Sequence, residues 1–205
     1  GRALPVATGI KVANPSLKVV ALMGDGDSAT IGGNHLIHSS RRNIDVTAIV
    51  ANNLNYGMTG GQYSCTTPLY SRTSTSWYGD PEPALDICRV VEAAGASFAA
   101  RTTVYHVAMI EKYISMALSH EGFSLVEVIS PCPTYFGRYN KVGSAPAMLN
   151  WLKENAVPVE RASKLSDEER KETFVTGIFA DKKGQSFLSR YGEIQSRARR
   201  ELERE

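Results

Sequence analysis

The stretch Val19-Val20-Ala21-Leu22-Met23-Gly24-Asp25-Gly26-Asp27-Ser28 decides how this chain reads. Its first five residues form a continuous apolar run, which two glycines end abruptly. Such a run, bounded by turn residues, is the pattern of a strand buried on both faces of a parallel sheet. Ser28 then suits the N-cap of a helix running to about Arg42. Val46–Ala51 is a second apolar run, closed by Asn52-Asn53. Asp25 and Asn53 are 53 − 25 = 28 residues apart. A helix of about 15 residues runs back roughly 22 Å, and a strand of about six returns roughly 20 Å. A right-handed crossover therefore brings both residues to one sheet edge. Ligands of such sheets bind there, outside the carboxyl ends of the strands.

The residue types at that edge suit a magnesium diphosphate. Gly24 and Gly26 let backbone N–H groups approach phosphate oxygens, and the following helix offers its positive end. Mg²⁺ takes about six hard oxygens. Asp25 supplies a carboxylate and Asn53 an amide oxygen. The carbonyl of Asn55 faces the same way if the chain stays extended. A Gly-Asp-Gly turn alone is a common connector; its pairing with Asn-Asn at the next strand end makes the pattern specific.

Working outward, Arg2–Ala13 reads as a helix stopped by Asn14-Pro15. A long polar loop spans Asn52 to about Pro81. Pro83–Ala94 and Val104–Ser119 read as helices, with strands at Ser97–Ala100 and Phe123–Ile129. Alternation of this kind indicates an α/β fold with a mainly parallel central sheet flanked by helices. After Pro131 the pattern predicts a short helix near Pro146–Glu154, a charged segment from Glu160 to Lys171, a strand at Phe174–Phe179 and a charged helix over Ser189–Glu205. The domain expectation is residues 1–135 as the ligand-binding α/β unit and 136–205 as a C-terminal extension, packing on it or on a partner.

Composition sets outer limits. The 205 residues are 42% hydrophobic and 21% charged, which excludes a wholly disordered chain. The net charge of +2 gives no electrostatic case for nucleic acid or an anionic membrane. No apolar run reaches the ~20 residues that span a bilayer. Three dispersed cysteines, Cys65, Cys88 and Cys132, make no disulfide framework and point to a reducing, cytoplasmic setting. Cys88, on an apolar helix face, reads as core. His35 and His38 are spaced for one helix face but lack a third metal ligand; His35 is the one placed to face a substrate or cofactor.

The segments GDGDSATIGGNHLIHSSRRN (Gly24–Asn43) and NLNYGMTGGQ (Asn53–Gln62) resemble the β subunit of the 2-oxoacid:ferredoxin oxidoreductases, a thiamine-diphosphate family. Gly1–Pro15, Thr66-Thr67-Pro68 and Ser130–Thr134 are most similar to the members acting on 2-oxoglutarate. The resemblance implies that Asp25, Asn53 and Asn55 hold Mg²⁺. It also implies that Gly24, Gly26, Asp27, Gly57, Met58 and Thr59 surround the diphosphate and its approach. It implies oxidative decarboxylation of a 2-oxoacid, with coenzyme A taking the acyl group and ferredoxin the electrons. The glutamate that activates thiamine diphosphate is expected on the α subunit. Pyruvate or a branched-chain 2-oxoacid is the alternative substrate. The family also carries a [4Fe–4S] cluster on four cysteines, of which only Cys132 has a match here. The resemblance thus places the other three in a segment preceding Gly1.

Overall fold

The computed structural model describes residues 1–162, 164–166 and 173–204. The expected charged segment from Glu160 to Lys171 lies in part outside the described residues. Helix α1 (Ala3–Ala13) leads into strand β1 (Val20–Gly24). A π-helical turn (Gly26–Ile31) and helix α2 (Gly33–Arg42) carry the chain back to β2 (Thr47–Asn52). After a long loop come α3 (Ile87–Ala94), β3 (Phe98–Thr103), α4 (Val107–Ser119) and β4 (Ser124–Ile129). Then follow α5 (Ala145–Glu154), β5 (Ala156–Pro158), α6 (Val159–Ala162), β6 (Phe174–Asp181) and α7 (Phe187–Leu202).

The strands form one sheet in the order β1-β2-β4-β3-β6-β5, with β1 to β4 parallel and β6 antiparallel to β3. Gly24 pairs with Ala51, so the two motif-bearing strands end level, as the crossover arithmetic requires. Leu4 and Ala7 of α1, Leu36 of α2, and Ile87, Cys88 and Val91 of α3 pack on one face with Ala21, Met23, Ala48 and Val50. Tyr113 and Ala117 of α4 cover Phe98, Ala100, Val126 and Val128 on the other. β3 and β4, sandwiched between these layers, are buried along their whole length.

Three expectations are corrected. β1 is not buried on both faces: Val20 and Leu22 are 47% and 73% exposed. It is an edge strand, and α4 packs over β3 and β4 nearer the sheet's centre. An apolar run reports burial but not position in the sheet. Ser28 is not an N-cap either. The helical path begins at Gly26, and Ser28 Oγ–H donates back to the Asp25 carbonyl at 3.2 Å. The π-helical turn closes at Gly32 before α2 starts. Finally, α3 starts at Ile87 rather than Pro83, because Asp86 caps it by accepting the Arg89 N–H at 3.1 Å.

Candidate functional site

Asp25 lies one residue past β1 and is 2% exposed. The backbone N–H of Asn53, one residue past β2, faces its Oδ1 at 3.5 Å. The long loop then folds back over the strand ends. Ser64 donates its hydroxyl to Asp25 Oδ2 at 2.5 Å, and Thr66 Oγ1 lies 2.8 Å from the same oxygen. Burial pushes the Asp25 carboxyl above its ordinary value, against the pull of these two hydroxyls.

Two amide oxygens complete the cluster. Asn53 Oδ1 and Asn55 Oδ1 are buried without a hydrogen-bond partner among the described residues. Gly57 sits between their side chains; a Cβ there would meet Asn53 Nδ2 at 3.0 Å and Asn55 Oδ1 at 3.5 Å. A buried carboxylate and two such amide oxygens just past adjacent strand ends make a hard-oxygen donor set of the kind that fits Mg²⁺. Each unpartnered oxygen costs ~1–3 kcal/mol, which a bound cation would offset. The segment from Asn53 to Asn55 does not run on extended, however. Leu54 is left-handed, with φ 65°, and Asn55 Oδ1 is buried close to Gly57. That turn is pinned from both sides: Asn52 Oδ1 accepts the Leu54 N–H at 3.0 Å, and Thr67 donates to the Leu54 carbonyl at 2.8 Å.

The other expected residues are distributed around this core. Gly24 ends β1, and the space where its Cβ would stand is open. Gly26 has another reason to be glycine: the Tyr56 ring packs where a Cβ would lie, and Tyr56 O–H donates to the Gly26 carbonyl at 3.0 Å. Asp27 is half-buried on the π-helical turn. Met58 is 99% exposed, and Thr59 bonds Gln62 Oε1 at 2.6 Å. Both stand at the tip of the Tyr56–Gln62 turn, apart from the buried cluster. His35 is half-buried on α2, and His38 is exposed and accepts from Arg41.

Cys132 is buried, and its Sγ accepts from Asn55 Nδ2 at 3.7 Å. Cys88 and Cys65 pack with the main core, whereas Cys132 belongs to a separate cluster with Leu54, Phe136 and Met148. A four-thiolate cluster site is therefore not assembled among the described residues. Burial raises the Cys88 thiol well above its ordinary value and the Cys65 thiol to a lesser degree.

Behind Asp25 lies a network that the sequence reading did not single out. Asn52 Nδ2 donates to Glu127 Oε1 at 2.7 Å, and Arg101 Nε donates to Glu127 Oε2 at 2.6 Å. Arg101 also pairs with Asp86. Burial works against the Arg101 charge, but the carboxylates of Glu127 and Asp86 outweigh it and hold the guanidinium protonated above its ordinary range. A cavity of about 330 Å³ opens beside these residues and Thr66. The available signal was a charge inside each of two buried strands: Arg101 in β3 and Glu127 in β4. Ser64 and Thr66 lie in an aperiodic loop and leave no comparable mark.

Residues 1–128 match the family model described as "Thiamine pyrophosphate enzyme, C-terminal TPP binding domain". The 2-oxoglutarate synthase subunit KorB of Methanothermobacter marburgensis is 46% identical over 199 residues, covering 97% of this chain and 70% of the relative. The subunit of the same name from Methanocaldococcus jannaschii is 46% identical over 181 residues, covering 88% and 67%. Among solved structures, the 2-oxoglutarate:ferredoxin oxidoreductase from Magnetococcus marinus, with 2-oxoglutarate, coenzyme A and succinyl-CoA bound, superposes with a TM-score of 0.82 at 30% identity. That match covers 96% of this chain and 68% of the other. The aligned strands, the Asp25–Asn53 edge and these likenesses agree: the chain belongs to the β subunits of the 2-oxoacid:ferredoxin oxidoreductases, within the thiamine pyrophosphate enzymes.

Proposed function

We propose that this chain acts with an α subunit as the cofactor-binding half of a 2-oxoglutarate:ferredoxin oxidoreductase. One observation carries the reading: a buried carboxylate, on Asp25, and two buried amide oxygens with no partner among the described residues, on Asn53 and Asn55, lie just past the ends of two adjacent parallel strands. These three residues hold Mg²⁺. Gly57 leaves the room between them, and Gly24, Gly26 and Asp27 border the diphosphate. Met58 and Thr59 form the exposed lip of its approach, and His35 stands on α2 as a candidate contact to substrate or cofactor. When bound, thiamine diphosphate supplies the reactive carbon and electron sink for losing CO₂ from a 2-oxoacid, and the protein supplies orientation and charge balance.

The net reaction converts 2-oxoglutarate and coenzyme A to succinyl-CoA and CO₂, with two electrons leaving singly to ferredoxin. Relatives named for 2-oxoglutarate support that substrate over pyruvate or a branched-chain 2-oxoacid. The test is an assay of the αβ complex with each of these acids, coenzyme A and oxidised ferredoxin. Reduction driven chiefly by 2-oxoglutarate, and dependent on added Mg²⁺ and thiamine diphosphate, is expected. Turnover driven chiefly by pyruvate would replace the substrate, and turnover indifferent to the cofactor would overturn the reading.

Cys132 is proposed as one thiolate of a [4Fe–4S] cluster, with companions from elsewhere in the assembly. Cys132→Ser in the complex should remove the cluster's visible absorbance; an unaltered spectrum would end that assignment.

A further inference from the structure

The two oxygens of the Asp25 carboxylate are treated differently. Oδ2 is taken by hydroxyls of Ser64 at 2.5 Å and Thr66 at 2.8 Å, all three residues being buried. Oδ1 faces the Asn53 N–H, at a long 3.5 Å, and no side-chain hydroxyl among the described residues. Thr66 has one proton and three acceptors in reach: Asp25 Oδ2 at 2.8 Å, Asn52 Oδ1 at 3.0 Å and Ser64 Oγ at 3.0 Å. Asn52 Oδ1 already receives the Leu54 N–H, and a charged acceptor draws the stronger bond, so the proton goes to Asp25. Asn52 is itself fixed through Nδ2 on Glu127.

We propose that Ser64 and Thr66 are positioning residues that make Asp25 a one-oxygen ligand and thereby set cation choice. Mg²⁺ demands near-octahedral geometry, which a single carboxylate oxygen satisfies. Ca²⁺ accepts six to eight oxygens and readily takes both oxygens of one carboxylate. With Oδ2 held by two hydroxyls, the second Ca²⁺ contact is blocked, and the site favours the smaller ion. The inference rests on the cofactor reading above and adds its metal selectivity.

The test compares the wild-type αβ complex with Ser64→Ala/Thr66→Val. Calorimetry or thermal shift reads thiamine diphosphate binding while Mg²⁺ or Ca²⁺ is titrated. In the double variant the Mg²⁺ requirement should rise by roughly 10-fold, the scale on which supporting residues act. The Ca²⁺ requirement should stay level or fall, so that the preference between the two ions shifts. Thr66→Ser, which keeps the hydroxyl, should retain the wild-type ratio. A parallel loss for both ions, or no change in the ratio, would overturn the proposal. Wild-type protein that binds the cofactor with neither ion would instead overturn the cofactor reading, and this inference with it. Should the double variant fail to fold, Ser64→Ala and Thr66→Val taken singly make the same comparison.

Discussion

Asp25→Ala is expected to lower Mg²⁺-dependent affinity for thiamine diphosphate by at least ~100-fold, beyond the 10–100-fold that a supporting residue costs. Among the described residues the side chain supplies the carboxylate to a set otherwise made of amide oxygens and hydroxyls, and so balances the cation's charge. The fold should survive, because Asp25 lies past the end of β1 and outside the apolar core. Asp25→Asn separates binding from stability. It should lose binding as alanine does, yet raise the cofactor-free protein's stability by ~0.5–2 kcal/mol, within the usual range for relieving a functional strain. It removes a buried charge and places a donor among surplus acceptors. Calorimetric titration and urea denaturation measure the two effects. Near-normal binding by Asp25→Ala would remove the site assignment.

The same group predicts a pH dependence. Burial makes the folded protein keep the Asp25 proton to higher pH than the unfolded chain does. The folded state then binds more protons in the window between the two values, so cofactor-free stability falls as pH rises through it. That contribution is fully present below the unfolded value and lost above the raised folded one. Cation binding needs the carboxylate, so it strengthens across the same window and releases a proton. A binding affinity that is flat through this range would contradict the assignment.

Arg101→Met should cost about 3–5 kcal/mol, the penalty for leaving a buried partner charge alone. Glu127 is 1% exposed and would lose its cation while still bonded to Asn52. Against a total stability of roughly 5–15 kcal/mol, this is a large fraction of the whole. Arg101 also donates to the Val175 carbonyl at 3.2 Å and stacks on Phe179, 5.0 Å away, so the change loosens β6 as well. The double variant Arg101→Met/Glu127→Met should recover most of the loss, since a hydrophobic replacement of both partners avoids the stranded charge. Denaturation midpoints test this; a single variant within about 1 kcal/mol of wild type would show that Glu127 is not stranded.

The parallel strands and the meeting of Asp25 with Asn53 were legible because both follow from run length and rise per residue. The placement of β1 at an edge was not, since Val20 and Leu22 are as apolar as a central strand requires. The turn at Leu54 was also hidden. A bulky residue enters the left-handed region only under outside constraint, here from Asn52 and Thr67. The hydroxyls on Asp25 arrive from a loop whose path is set by tertiary bonds. Arg101 and Glu127 were visible as charges in apolar strands, yet only the β3–β4 pairing reveals that they answer each other.

That loop, from Asn53 to Asp86, ties much of its backbone to itself: Tyr56 to Gln62, Tyr70 to Asp80 and Thr73 to Ser76. Segments of this kind open at a lower free energy than the sheet beneath them. A ligand that binds only the closed loop deepens the closed state by RT ln(1 + [L]/Kd). Loop order and cofactor occupancy are then one equilibrium seen from two ends. A substitution far from the ligand that merely favours opening will weaken affinity without touching a single ligating atom.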